Sequence, residues 1–325
     1  MQGGRKRLVL PLLFIVILSV KVKAFNNPTT VVTDTTTVDT LTVTPTWVIN
    51  GNFAITFSQI SLTNWVAGGE NAISGNGATL ITASYSKGKN KWDNTLDIGY
   101  GLTRQGNDKQ IKNEDRIDIS SIYGRNASKK WYYSSMIGFK TQFAKGYKYP
   151  NDSTVISNFM SPAYIQLSVG MNYKPNNLFN VMISPAAGKL TIVNDTKLAN
   201  KGAFGVTPAI YDDNGVLVEP GKNTRIELGG SMKILYNAEF WEKKVGFRSK
   251  LEFFSNYMDK PQNIDISWDL TLDLRITTYI TARAQTWMLY DDDQKIEVKD
   301  RNGNAKKISK LQLKEMLGVG FTYKF

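Results

Sequence analysis

The chain has 325 residues, 42% apolar and 21% charged, with no cysteine and no histidine. Zero cysteine excludes a disulfide framework and thiolate metal sites, and zero histidine removes the commonest general base and zinc ligand. The formal charge of +12 falls once the five bases of residues 1–24 are set aside. That leaves 35 bases against 28 acids, spread without the basic run of a nucleic-acid binder.

Residues 1–24 read as a secretory signal. Arg5-Lys6-Arg7 is the basic start, Leu8 to Val20 the apolar core, and Val22-Lys23-Ala24 the small-residue cleavage site. The apolar core is too short to cross a bilayer as a helix, and no later run reaches the ~18 apolar residues a spanning helix needs. No cysteine follows to carry a lipid anchor. Residues 25–46 are rich in Thr and cannot bury enough apolar surface to offset the entropy of ordering, so they read as a disordered periplasmic tail. Asp34-Thr35-Thr36 and Asp39-Thr40-Leu41 resemble an O-glycosylation sequon of some Gram-negative envelope proteins; a plain spacer is the simpler reading.

From Trp47 onward apolar and polar residues alternate. Successive strand side chains face opposite sides, so each alternating segment has one apolar and one polar face. Phe53, Ile55 and Phe57 begin the series, and Ala78 to Ser86 form a second strand of small residues. Trp92, Leu96, Ile98 and Tyr100 oppose Asp93, Asp97 and Gly99. Ile117, Ile119 and Tyr123 oppose Arg116, Asp118 and Ser120. Trp131, Tyr133, Ile137 and Phe139 oppose Ser134, Gly138 and Lys140, and Ile165 to Tyr173 continue the pattern. Phe179, Val181 and Ile183 follow until Pro185 interrupts. Ile226 to Tyr236, Val245 to Phe253, Ile264 to Ile276 and Ile280 to Tyr290 are cleaner still. The chain ends on Leu317, Val319, Phe321, Tyr323 and Phe325 against Gly318, Gly320, Thr322 and Lys324. Twelve strands are expected.

The connections alternate in length. Residues 87–90, 126–130, 174–177, 237–243 and 277–279 are short; 59–76, 104–113, 145–160, 192–224, 255–263 and 291–310 are long and polar. An even strand number, short turns at one end, long loops at the other and both termini on the short-turn side describe an up-and-down antiparallel transmembrane β-barrel over residues 47–325. Aromatics cluster at both strand ends: Trp92, Trp131, Tyr173, Tyr279 and Tyr323 near the short turns, and Phe57, Tyr100, Phe143, Tyr164, Phe254 and Tyr290 near the long loops. Membrane interfaces favour such belts.

Particular residues carry a resemblance. Gln59-Ile60-Ser61-Leu62-Thr63-Asn64-Trp65-Val66-Ala67-Gly68-Gly69-Glu70-Asn71, Trp92-Asp93-Asn94, Gly99-Tyr100-Gly101-Leu102 and Thr141-Gln142-Phe143 are similar to the outer-membrane β-barrel family catalogued as domain of unknown function 3078. So are Ser157-Asn158-Phe159-Met160-Ser161-Pro162, Phe254-Ser255-Asn256-Tyr257 and Pro261-Gln262-Asn263-Ile264-Asp265. The resemblance implies a Gram-negative outer-membrane barrel and no activity. The last strand likewise resembles the closing strand of such barrels, whose terminal aromatics (here Phe321, Tyr323 and Phe325) are read by the barrel-assembly machinery.

The inward positions carry a charge network: Asp93, Asp97, Asp118, Glu227, Glu252, Asp265, Asp269 and Asp273 against Arg116, Lys140, Lys174, Lys233, Arg248, Lys250, Arg275, Arg283 and Lys324. Asp265, Asp269 and Asp273 lie roughly 13 Å apart at ~3.3 Å per residue. Arg248 and Lys250 on the preceding strand are their expected cross-strand partners. Either the pairs fill the bore or they form a charged filter for a polar solute. Trp65, Gly68, Gly69, Glu70 and Asn71 form either an inward loop constriction or a tight external turn. Asp291-Asp292-Asp293 could ligate calcium, although a solvated loop tip is simpler. Known outer-membrane hydrolases rely on histidine, so neither catalysis nor a cofactor is expected. The expected partners are outer-membrane lipid, lipopolysaccharide and the assembly machinery, with no nucleic acid. The function expected is a closed or narrow barrel acting structurally or through its surface loops, or alternatively a narrow channel for small polar solutes.

Overall fold

A computed structural model describes residues 46–62, 70–149, 151–294, 296–299 and 305–325. The signal sequence, all but the last residue of the Thr-rich tail, and Trp65, Gly68 and Gly69 lie outside the described residues. Twelve antiparallel strands close into one barrel. They are β1 (Trp47–Ile60), β2 (Ala72–Lys87), β3 (Asn90–Gln105), β4 (Ile111–Ser128), β5 (Trp131–Thr141) and β6 (Ala163–Tyr173), followed by β7 (Phe179–Ile192), β8 (Thr224–Phe240), β9 (Val245–Asn256), β10 (Ile264–Arg275), β11 (Ile280–Tyr290) and β12 (Gln312–Lys324). Each pairs with its sequence neighbours, and β1 closes the ring against β12 over six residue pairs from Asn52–Lys324 to Phe57–Val319. Closure leaves no sheet edge for lipid to meet, which a membrane-spanning sheet requires. No helix among the described residues is long and apolar enough to cross a membrane; this fold crosses with strands.

The faces are as the alternation requires. On β8, Ile226 is 70% exposed while the adjacent Glu227 is 1% exposed. A soluble sheet would bury the isoleucine and expose the glutamate. The reversal identifies a lipid-facing outer wall and a polar interior. Aromatic pairs gird the short-turn end: Trp47 against Tyr85 at 5.2 Å, Trp131 against Tyr173 at 4.9 Å, and Tyr279 stacked on Phe321 at 5.7 Å. At the long-loop end Tyr100 meets Phe143 edge-on at 6.4 Å. Tyr164 and Phe254, expected in that outer belt, instead point inward, because they share the parity of the inward residues Gln166 and Glu252.

Strands run further than the patterning indicated. β1 and β2 extend to Ile60 and from Ala72, so the loop expected at 59–76 shrinks to 61–71. β7 continues through Pro185 to Ile192. The proline sits where the registers of both neighbours slip, Ala187 facing Gly229 while Ser184 faces Ser231. A bulge needs no ladder hydrogen bond from its extra residue, so proline is tolerated there. The extra residue also switches the faces, and Lys189 points into the bore. Gly51 and Phe325 exchange backbone hydrogen bonds of 2.8 and 3.0 Å at the closing seam. The Phe325 ring covers Gly51 so closely that a Cβ there would lie 2.0 Å from Cζ of the ring. Only glycine leaves that room.

The longest external connection is structured. Residues 193–223 carry a helical turn (Thr196–Asn200) capped by Asp195, a small core of Val193, Leu198, Ala199 and Val206, and a hairpin of Ile210–Tyr211 and Leu217–Glu219. Ser161 and Asp115 pin loops to the barrel. Ser161 Oγ accepts from Asp195 N at 2.7 Å, and Asp115 accepts from Phe143 N and Ala144 N at 2.6 and 2.9 Å. Further out, Lys109 donates to Asp152 between two exposed loops, and this bond holds the Asp152 carboxyl below the usual carboxylate range.

Candidate functional site in the bore

The inward positions of five strands converge at mid-height. Asp97 on β3 accepts from Arg116 on β4 at 2.7 Å and from Arg248 on β9 at 3.0 Å. In the ring order β3 and β9 are diametrically opposite. Lys250 of β9 likewise crosses the bore to hydrogen-bond Asp118 of β4, and Lys140 of β5 bonds Glu252 of β9. Lys233 of β8 approaches Glu252 to 3.2 Å and Lys140 lies 4.0 Å from Asp118. A circular ring of twelve strands ~4.8 Å apart and tilted about 40° would measure roughly 24 Å across. Arginine and aspartate meeting head to head cannot span that width. The barrel is therefore flattened along the β3–β9 direction, and side chains from facing walls form a septum.

Two cavities flank the septum. One of about 450 Å³ opens among the long loops and is lined by Tyr164, Lys189, Phe204, Phe254, Asp265 and Asp291. The other, about 530 Å³, lies towards the short turns and reaches Asn52, Asp273, Arg283 and Lys324. Both include Asp118, Ser120 and Lys233 in their walls, so septum side chains are what stands between them. Three lysines and five acids line the external cavity, whereas six bases and four acids line the other. The septum thus separates a net-negative vestibule from a net-positive one.

The remaining expected residues fall into smaller groups. Asp273 and Arg283, directly opposite in register, make a two-bond pair at 2.6 and 2.9 Å. Asp93 pairs with Lys174 at 2.6 Å. Arg275 joins Lys324 around Glu239 at the short-turn rim, at 3.9 and 2.7 Å. Asp265 pairs with Lys189 at 2.8 Å, and Lys189 also lies 3.3 Å from Glu227.

One expected pairing needs correction. Arg248 and Lys250 do not pair with β10. Lys250 stands opposite Asp269 in register yet reaches across to Asp118, and Asp269 has no ion pair among the described residues. Flattening puts the far wall within reach of a lysine, so local pairing loses. Glu70 and Asn71 are exposed and line neither cavity, and Asn71 O accepts from Gly106 N at 2.6 Å, which ties the two loops together; Trp65, Gly68 and Gly69 lie outside the described residues. In the last loop, Asp293 bonds Arg225, while Asp291 accepts from Gln294 at 2.9 Å. The carboxylates of Glu227, Asp265 and Asp293 lie within 4.8 Å of one another, but Arg225 and Lys189 supply the positive charge that a calcium ion would bring.

Lys189, Glu114, Arg225 and Glu239 are bore or rim residues that the alternation missed. Pro185 hides the first, because the bulge shifts its parity. Glu114 keeps the inward parity of Arg116 and Asp118 and escapes notice because it borders the loop expected at 104–113, while a bulge between Gly101 and Leu102 leaves Asn113 beside it at one point of the β4 ladder. Pro185 marks where the alternation breaks, but not that the face beyond it is exchanged.

With this geometry in view, residues 57–147 match the family model described as "Protein of unknown function (DUF3078)". The match takes in the motifs at 59–71, 92–94, 99–102 and 141–143; those at 157–162, 254–257 and 261–265 lie beyond it. No curated protein matches the chain. Among solved structures, the chain is similar to the translocator domain of the autotransporter NalP from Neisseria meningitidis (10% identity, 85% of this chain and 87% of that one, TM-score 0.32). It is also similar to the COG4313 outer membrane channel from Pseudomonas putida F1 (9%, 85% and 94%, TM-score 0.36). The β domain of the Bordetella autotransporter BrkA is a third (13%, 84% and 98%, TM-score 0.30). Similarity at these levels carries no activity over to this chain.

Proposed function

We propose that this protein is an outer-membrane barrel whose bore is shut at mid-height by its own ion pairs, and that it acts through its external vestibule and loops. The observation carrying this reading is the Asp97–Arg248 contact of 3.0 Å between opposite walls, flanked by Lys250–Asp118 and Lys140–Glu252. The lipid-facing wall and aromatic belts support the location, and the outward aromatics of β12 support recognition by assembly machinery. Lipopolysaccharide would contact the external rim.

A second reading is favoured by the character of the septum. It consists of side chains, which rearrange without moving the barrel, so a narrow gated path for small polar solutes is the alternative. Vestibules of opposite sign would give such a path little selectivity between cations and anions. Single-channel recording in planar bilayers tests the choice. A closed barrel is silent, and Arg248→Ala combined with Lys250→Ala creates stable openings by removing the cross-bore contacts. Steady openings of the unmodified protein would overturn the closed reading.

A further inference from the structure

Three side-chain oxygens in the external half of the bore have no hydrogen-bond donor: Asn76 Oδ1, Asn113 Oδ1 and Glu114 Oε2. Asn76 and Glu114 are only 8% and 3% exposed. Buried acceptors without partners are uncommon, because each retains the full cost of its lost hydration. The two asparagine oxygens sit together, and the Glu114 carboxylate lies beside Gly99, two residues along β3 on the same face. Asn76 on β2 and Glu114 on β4 are the two cross-strand partners of Gly101 on β3. A Cβ at Gly101 would lie 1.8 Å from Asn76 Oδ1 and 2.3 Å from Asn113 Oδ1. By the sum of those distances the two amide oxygens are at most 4.1 Å apart. They converge on a space that only glycine leaves empty.

Their neighbours fix the orientation. Asn113 Nδ2 donates to Ser74 Oγ at 2.8 Å and Thr103 Oγ1 at 2.7 Å, which turns its oxygen away from both hydroxyls. Glu114 Oε1 accepts from Arg116 at 2.9 Å, which leaves Oε2 as the free oxygen. Turning over the Asn76 amide could give Asn113 Oδ1 at most one donor and would leave Glu114 Oε2 with none. Two amide carbonyls and one carboxylate, with no nitrogen or sulfur donor, are the ligand chemistry of hard cations. We propose that Asn76, Asn113 and Glu114 bind a hard metal cation of the Ca²⁺ class across β2–β4, with water completing its shell. The site shares Arg116 with the septum, since its guanidinium bonds both Glu114 and Asp97.

The test uses the full chain refolded in detergent and titrated with Tb³⁺, a luminescent stand-in for Ca²⁺ excited through tryptophan. Trp287 is a nearby sensitiser, its ring 5.7 Å from the Arg116 guanidinium that bonds Glu114. The expected result is saturable emission displaced by Ca²⁺, lost in Glu114→Gln and kept in Asp293→Asn, which disrupts the separate acidic corner. Emission that is absent from the unmodified protein, or survives Glu114→Gln, overturns the proposal. If Glu114→Gln does not refold, Asn76→Asp decides. Added ligand charge should tighten Ca²⁺ binding about tenfold, and unchanged or weaker binding sinks the site.

Discussion

Neutralising Asp118 and neutralising Asp269 should have very different consequences. Asp118 and Lys250 face each other with side chains only 7% and 6% exposed. Asp118→Asn leaves Lys250 inside the septum with Glu252 as its nearest remaining carboxylate, at 3.8 Å. Removing one partner of a buried pair costs about 3–5 kcal/mol, and the residual Glu252 contact argues for the lower end. Asp269 has no ion pair to lose among the described residues, so Asp269→Asn should cost less than ~1 kcal/mol. Taking ~2 °C per kcal/mol as for soluble domains near this size, Asp118→Asn lowers the melting temperature by about 6 °C and Asp269→Asn by about 2 °C or less. The assay is the temperature at which each refolded variant loses its heat-modifiable gel mobility. Equal shifts, or no shift for Asp118→Asn, would mean that water screens the septum and that its pairs do not hold the walls together.

The closing seam offers another test. Gly51→Leu places carbon atoms where the Phe325 ring lies, so the terminal aromatic is displaced and the folded fraction recovered from membranes should fall several-fold; normal recovery would show the Phe325 seat to be dispensable. The topology predicts where protease added to intact cells cuts. The exposed hairpin at 210–219 should be cleaved and the turn at 129–130 spared, and external cleavage at 129–130 would invert the barrel.

Local chemistry in the sequence determined the barrel itself. Alternation has period two whatever the strand packs against, so Ile226 beside Glu227, or the unbroken run from Ile264 to Arg275, fixes which side chains meet lipid and which enter the bore. Loop lengths fixed which end carries the external mouth. Two features were not legible from local pattern. The bulge at Pro185 exchanges the faces of the residues beyond it, which brings Lys189 inward although the preceding pattern of Phe179, Val181 and Ile183 points odd-numbered residues outward. The flattening of the ring is a property of all twelve strands together. It decides that Lys250 answers Asp118 on the far wall and passes over Asp269 beside it. A lysine's partner is whichever carboxylate lies within reach, and only the closed tertiary structure sets that distance.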